Sequence, residues 1–144
     1  MKVTEIMSSD VQLVSPDETI QAAARKMQDA DIGFLPIGEN DKLVGMVTDR
    51  DIAIRAVAQG KDPSSTKVRD IMTKRVFYCS TNEDIEAVTE NMAEMRIRRL
   101  PIVNEDMRLV GVISLGDIAF KHKASKAGAV LAIVCNPGAT RSAA

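Results

Sequence analysis

Two carboxylates stand at matching places in a repeated pattern. Gly45-Met46-Val47-Thr48-Asp49-Arg50-Asp51 and Gly111-Val112-Ile113-Ser114-Leu115-Gly116-Asp117 share one order: glycine, two apolar residues, a hydroxyl, two variable residues, an aspartate. A hydroxyl followed three positions later by an acid is a capping box, in which each side chain accepts from the other residue's amide at a helix start. The same pair can serve a ligand. A carboxylate there can accept both hydrogens of a vicinal diol such as ribose, and a hydroxyl beside free helix-start amides suits phosphate oxygens. Ribose and phosphate form the backbone of a nucleotide. The capping and nucleotide readings are compatible, because one threonine can cap and also touch a ligand.

These blocks belong to a longer duplication. Val3-x-x-Ile6-Met7 returns as Val68-x-x-Ile71-Met72, and Leu35-Pro36-Ile37 returns as Leu100-Pro101-Ile102, both 65 positions later. Leu43 to Ala53 returns as Leu109 to Ala119 at an offset of 66, one residue having been inserted between the blocks. Such regularity predicts a two-fold-like core and two equivalent sites. Each copy reads as strand, helix, strand, strand, helix. Val11-Gln12-Leu13-Val14 reads as a short strand before the turn cluster Ser15-Pro16-Asp17-Glu18-Thr19. Two helix starts compete there: a Ser15/Glu18 capping box, or Thr19 as the N-cap, matched by Asp84. The later start is favoured, since both copies place a capping residue directly before Ile20 or Ile85.

Ile20, Ala23, Ala24 and Met27 follow helical spacing, as do Ile85, Val88 and Met92. The strands Phe34–Ile37 and Arg99–Val103 carry a proline that suggests a strand start or an edge. Polar turns, the second one residue longer, lead to partner strands at 42–47 and 108–113, and helices begin near Asp49 and Leu115. The copies divide as 1–60 and 68–123, with linker 61–67 and an extension 124–144. That extension holds an extra helix from Ala124 to Val134, then a mobile tail from Asn136. His122, between two lysines, reads as a solvated helix end, and no metal site is assigned. Met7, Met27, Met72 and Met92 recur at matched places and read as packing.

Composition narrows the function classes. With 144 residues, 45% of them hydrophobic, the chain can bury a real core. A net charge of −1 lacks the positive field that nonspecific nucleic-acid binding needs. Three Phe, one Tyr and no Trp leave few rings for stacking bases. No stretch approaches the ~20 apolar residues of a membrane span, and the first residues lack the apolar run of a signal peptide. The expectation is a soluble cytoplasmic protein whose Cys79 and Cys135 are reduced thiols. One poorly placed histidine and no Gly-rich phosphate loop argue against an enzyme.

The lead-in segments ending Ile6-Met7 and Ile71-Met72, the two Leu-Pro-Ile strands and the two glycine-to-aspartate blocks together resemble a pair of CBS domains, or Bateman module, from about Val3 to His122. The wording Thr48-Asp49-Arg50-Asp51-Ile52 is similar to that of small bacterial CBS pairs of the hypoxic-response type. The resemblance implies an α/β (α+β) fold of two intertwined β-α-β-β-α repeats about a pseudo-two-fold axis, with three-stranded sheets packed by helices. It implies an adenine nucleotide (AMP, ADP or ATP) or a related adenosyl compound in clefts between the repeats, no required cofactor, a homodimer, and a regulated partner protein.

By the same resemblance Asp51 and Asp117 would take ribose hydroxyls, with Thr48 and Ser114 nearby. Val14, Ser15 and Pro16, or Ser80 in the second copy, would close over the adenine. Met46 and Val47, or Val112 and Ile113, would flank it. Arg98 and Arg99 would reach the phosphates of the Asp51 site, with Arg50 also in range. Gly33, Phe34 and Gly116 at the matching positions of the other site offer no charge, so the Asp51 site is expected to bind a charged nucleotide more tightly. The competing reading is a ligand-free interaction or stress-response scaffold, with the arginines paired to Glu90, Glu94 or Glu105 on the surface.

Overall fold

The computed structural model describes residues 1–136; the tail after Asn136, expected to be mobile, lies outside the described residues. The chain forms two compact units. One holds Gln12–Val76, and the other holds Met1–Val11 together with the described residues from Phe77 on. The units are offset from the sequence copies, because each carries the lead-in segment of the other copy. This is the intertwining that the resemblance implied, in an α+β fold.

In the unit spanning Gln12–Val76, helix α1 (Ile20–Ala30) leads to strands β1 (Phe34–Glu39) and β2 (Lys42–Thr48). Helix α2 (Asp49–Ile52) then continues as a π-helical stretch, Ala53–Val57. Thr19 caps α1, its hydroxyl accepting from the Ala22 amide at 3.1 Å. The earlier capping candidate is used differently. The Ser15 amide donates to Glu18 Oε2 at 2.7 Å, and the Ser15 hydroxyl accepts from Asp17, closing a turn before the helix. Ser80 and Glu83 do the same in the second copy. Both helices end on a left-handed residue, Asp31 and Arg96.

The β1–β2 hairpin turns through Asn40 and Asp41, both at positive φ, as a tight two-residue turn demands. The strand expected at Val11–Val14 is reduced to a single parallel bridge, Val14 to Ile37. In the other unit that strand survives as β3 (Cys79–Ser80), parallel to β4 (Arg99–Val103), which pairs with β5 (Leu109–Ser114). Thr81 donates its amide to the Val103 carbonyl there. Pro16 holds the matching position and has no amide hydrogen to give, so the first copy's ladder stops. Pro36 lies inside β1, an edge strand of a two-stranded sheet, as the sequence reading allowed. The proline is tolerated because its carbonyl accepts from Val14 while Val14 supplies only one bridge.

The unit containing Phe77 adds helices α3 (Ile85–Met95), α4 (Leu115–Lys121) and α5 (Ala124–Val134). Helix α5 covers apolar surface as expected, placing Ala127 and Val130 in a core with Ile85, Val88, Met92 and Ile118. His122 departs from the expected solvated helix end. Its side chain is only 12% exposed, and Nε2 lies 3.1 Å from Glu86 Oε1, whose other oxygen meets Lys126. Both cores are aliphatic and include the lead-ins: Val68 and Ile71 in one, Val3 and Ile6 in the other.

Candidate functional site

Each carboxylate sits where the lead-in segment, the second hairpin strand and a helix start meet within one unit. Met46 of β2 exchanges both backbone hydrogen bonds with Thr73, and Val112 of β5 does so with Ser8. Gly45 and Gly111 make that approach possible. A Cβ on Gly45 would stand 2.7 Å from Met72 Sδ and 3.1 Å from the Thr73 carbonyl; one on Gly111 would stand 2.5 Å from Met7 Sδ and 3.0 Å from the Ser8 carbonyl. The repeated glycine is therefore a close-approach residue, and Met7 and Met72 are packing.

The capping boxes form in both copies. The Thr48 amide donates to Asp51 Oδ2 at 2.9 Å, and the Asp51 amide to the Thr48 hydroxyl at 3.0 Å. The Ser114 amide donates to Asp117 Oδ2 at 2.8 Å, and the Asp117 amide to the Ser114 hydroxyl at 3.1 Å. One carboxylate oxygen is thus committed. The other, Oδ1, faces a cation one helical turn on: Arg55 Nε at 3.7 Å from Asp51, and Lys121 Nζ at 3.4 Å from Asp117. Ser8 Oγ also donates to Asp117 Oδ1, at 3.4 Å. Asp51 is buried, Asp117 nearly so.

Arg55 and Lys121 carry no role in the sequence reading, although they keep the offset of 66 that relates the two aspartates. Arg55 Nη1 donates to the Ile71 carbonyl at 3.0 Å and to the Thr73 hydroxyl at 3.2 Å. Lys121 Nζ donates to the Ile6 carbonyl at 3.0 Å. Each cation joins the carboxylate to the matching carbonyl of the lead-in. A basic residue four positions after the acid, repeated in both copies, was the signal available in the sequence.

The free helix-start amides expected beside Asp51 are absent. Asp49 N–H donates to the Gly33 carbonyl at 2.9 Å, Arg50 N–H to Asp49 Oδ1 at 2.8 Å, and Asp51 N–H to Thr48. The cause is Asp49, an acid in the first turn seated over Gly33, whose missing side chain leaves it room. In the second copy the Leu115 amide donates to the Arg98 carbonyl, and leucine offers no carboxylate to the Gly116 amide.

The other expected residues divide by accessibility. Val14, Val47 and Ile113 are fully buried in the cores, whereas Met46 is half-buried and Val112 retains 8% exposure. Ser15 is exposed and Ser80 half-buried, while Pro16 is buried. Arg50, Arg98 and Arg99 are exposed. Arg98 Nη2 donates to Cys135 Sγ at 3.3 Å, not to one of the surface glutamates. Arg98 and Arg99 belong to the unit of Asp117; Asp51, Thr48 and Arg50 belong to the other. Among the described residues, no cluster of three or more His, Cys, Asp or Glu is placed to hold a metal ion, and no helix is long and apolar enough to cross a membrane.

Comparison with known proteins agrees with this architecture. The CBS domain profile matches residues 3–57 and 68–122. The CBS domain-containing protein YhcV of Bacillus subtilis is 41% identical over 130 residues, covering 90% of this chain and 91% of YhcV. A crystal structure of Hypoxic Response Protein I with two coordinated zinc ions superposes with a TM-score of 0.73 at 39% identity, covering 83% of this chain and 97% of that one. The CBS domain pair of protein MJ0100, solved with methylthioadenosine and S-adenosylmethionine, gives 0.74 at 31% identity, covering 83% and 93%. The chain therefore belongs to the CBS-domain family and carries two copies of the domain.

Proposed function

We propose that this CBS pair is a regulatory module without catalytic activity of its own, that it binds an adenosyl ligand through Asp51 and Asp117, and that a partner protein reads the liganded state. The observation that carries this reading is the repeated carboxylate. In each copy Oδ2 is fixed by a backbone amide, while Oδ1 has only a cation at 3.4–3.7 Å and, beside Asp117, a 3.4 Å serine hydroxyl. An oxygen held in place with acceptor capacity to spare suits a ribose hydroxyl. The MJ0100 pair, similar over most of this chain, holds two adenosyl compounds. Phosphate recognition would fall to Arg50, Arg98 and Arg99, since the helix-start amides beside Asp51 are already used. The apolar flank would fall to Met46 and Val112, with Ser15 and Ser80 lying over the base.

Calorimetry with AMP, ATP, methylthioadenosine and S-adenosylmethionine tests this. Asparagine keeps an acceptor for the cap and removes the charge. Asp51→Asn and Asp117→Asn are therefore expected to weaken the site each serves by about tenfold or more, the value of a charge-assisted hydrogen bond. Arg98→Gln with Arg99→Gln should weaken AMP and leave methylthioadenosine, which has no phosphate, unchanged. Absence of heat with every compound would sink the ligand reading. It would favour the interaction scaffold, to which the exposed Phe120, Ile54 and Val57 lend support as apolar contact points for a second copy or a partner. Native mass spectrometry tests directly the homodimer that the resemblance implies.

A further inference from the structure

The geometry points to Arg55 and Lys121 as positioning residues that couple ligand occupancy to the lead-in segments. The inference rests on the adenosyl reading above. Its basis is a contact made twice: in each unit a cation on the helix that follows the second hairpin strand faces Oδ1 of the site carboxylate and donates to a lead-in carbonyl, Ile71 in one unit and Ile6 in the other. The two carbonyls are equivalent in the duplication, and so are the two cations, although one is arginine and the other lysine. Charge and placement are shared where the side chain is not.

A consequence follows for the liganded state. Ribose hydroxyls donating to Oδ1 disperse its charge and weaken its pull on the cation, whose remaining partners are the lead-in carbonyl and, for Arg55, the Thr73 hydroxyl. Binding then tightens the lead-in against β2 or β5, at the Met46–Thr73 and Ser8–Val112 backbone pairs. The ligand has a differential interaction with the two states of the segment, as any ligand-driven shift requires.

Hydrogen exchange of the full chain with and without AMP tests the coupling. In the wild type, saturating AMP is expected to slow exchange in the peptides spanning 68–76 and 3–11 by about twofold or more. Arg55→Met should abolish that response in 68–76 while AMP affinity changes by less than about fivefold, since the pair is 3.7 Å apart and its arginine is open to solvent. Arg55→Lys should retain the response, since Lys121 makes the equivalent contact. Lys121→Met provides the same test in 3–11 should Arg55→Met fail to fold. AMP binding with unchanged exchange in both wild-type peptides overturns the coupling alone, as does a response that survives both methionine variants. Should AMP not bind, the same comparison is made with whichever of ATP, methylthioadenosine and S-adenosylmethionine does; binding by none of them overturns the ligand reading, and the coupling with it.

Discussion

At the level of single residues, the two cysteines show how location sets chemistry. Cys79 lies on β3 inside the core, and burial, with a smaller contribution from the Glu83 charge, pushes its thiol up to about 12. Cys135 ends α5 in the open, beside Arg98. Thiolate is the reactive form, so a maleimide or disulfide reagent near pH 8 is expected to modify Cys135 rapidly and Cys79 only after denaturant is added. Equal labelling of both in the folded protein would contradict the burial. The sign of the pH effect also follows. Because the folded thiol ionises later than the unfolded one, its stabilisation is intact below about pH 8.5 and is lost as pH rises from there toward about 12. Thr19 and Asp84 were legible as caps because their partners lie within three residues. Arg55 and Lys121 were not, because their carbonyl partners lie 16 and 115 residues away. The helix-start amides beside Asp51 were expected to be free for a similar reason: the seat of Asp49 over Gly33 is set by the hairpin, not by its neighbours in sequence.

At the level of elements, the repeated glycine carries more than a turn. Gly45 is buried within β2, and its pairing with Ile37 places it opposite β1 while its open face meets Met72 and Thr73. Gly45→Ala is expected to destabilise the protein by about 1–3 kcal/mol, the usual cost of overpacking, and Gly111→Ala by a similar amount. The methionine sulfur could swing aside. The Thr73 and Ser8 carbonyls cannot, because they accept from the Met46 and Val112 amides. Chemical denaturation of Gly45→Ala, alone and combined with Met72→Ala, separates the two clashes. Partial recovery in the double variant is expected, and full recovery would mean that the backbone approach is not tight. Helices and hairpins were readable from periodicity and turn chemistry; the loss of one strand to Pro16 was not. Proline's missing donor matters only once it is known which neighbour needs it, and that neighbour is supplied by the fold.

At the level of the whole chain, the duplication in sequence and the division in space are different cuts of the same molecule. The sequence copies begin at the lead-ins Val3 and Val68, yet each lead-in is built into the core of the other copy: Val68 and Ile71 among Val14, Ile20, Leu35 and Val47, and Val3 and Ile6 among Ile85, Leu100 and Ile113. Backbone hydrogen bonds fix the exchange at both ends. The Ile20 amide donates to the Thr66 carbonyl and the Val68 amide to Glu18, while Thr73 closes against Met46. A fragment of residues 12–76 keeps every one of these contacts, together with the acceptors of Arg55. A fragment of residues 1–60 is a whole sequence copy, but it lacks Val68, Ile71 and Met72 and leaves the edge of β2 and the amide of Ile20 without their partners. Domains of this size bury only about 60% of their unfolded surface, so missing core residues are decisive. The 12–76 fragment is expected to give dispersed amide resonances and a cooperative thermal transition, and the 1–60 fragment neither. If 1–60 folds as well as 12–76, the lead-in is an accessory to the core, and the link from carboxylate to lead-in through Arg55 loses its structural basis.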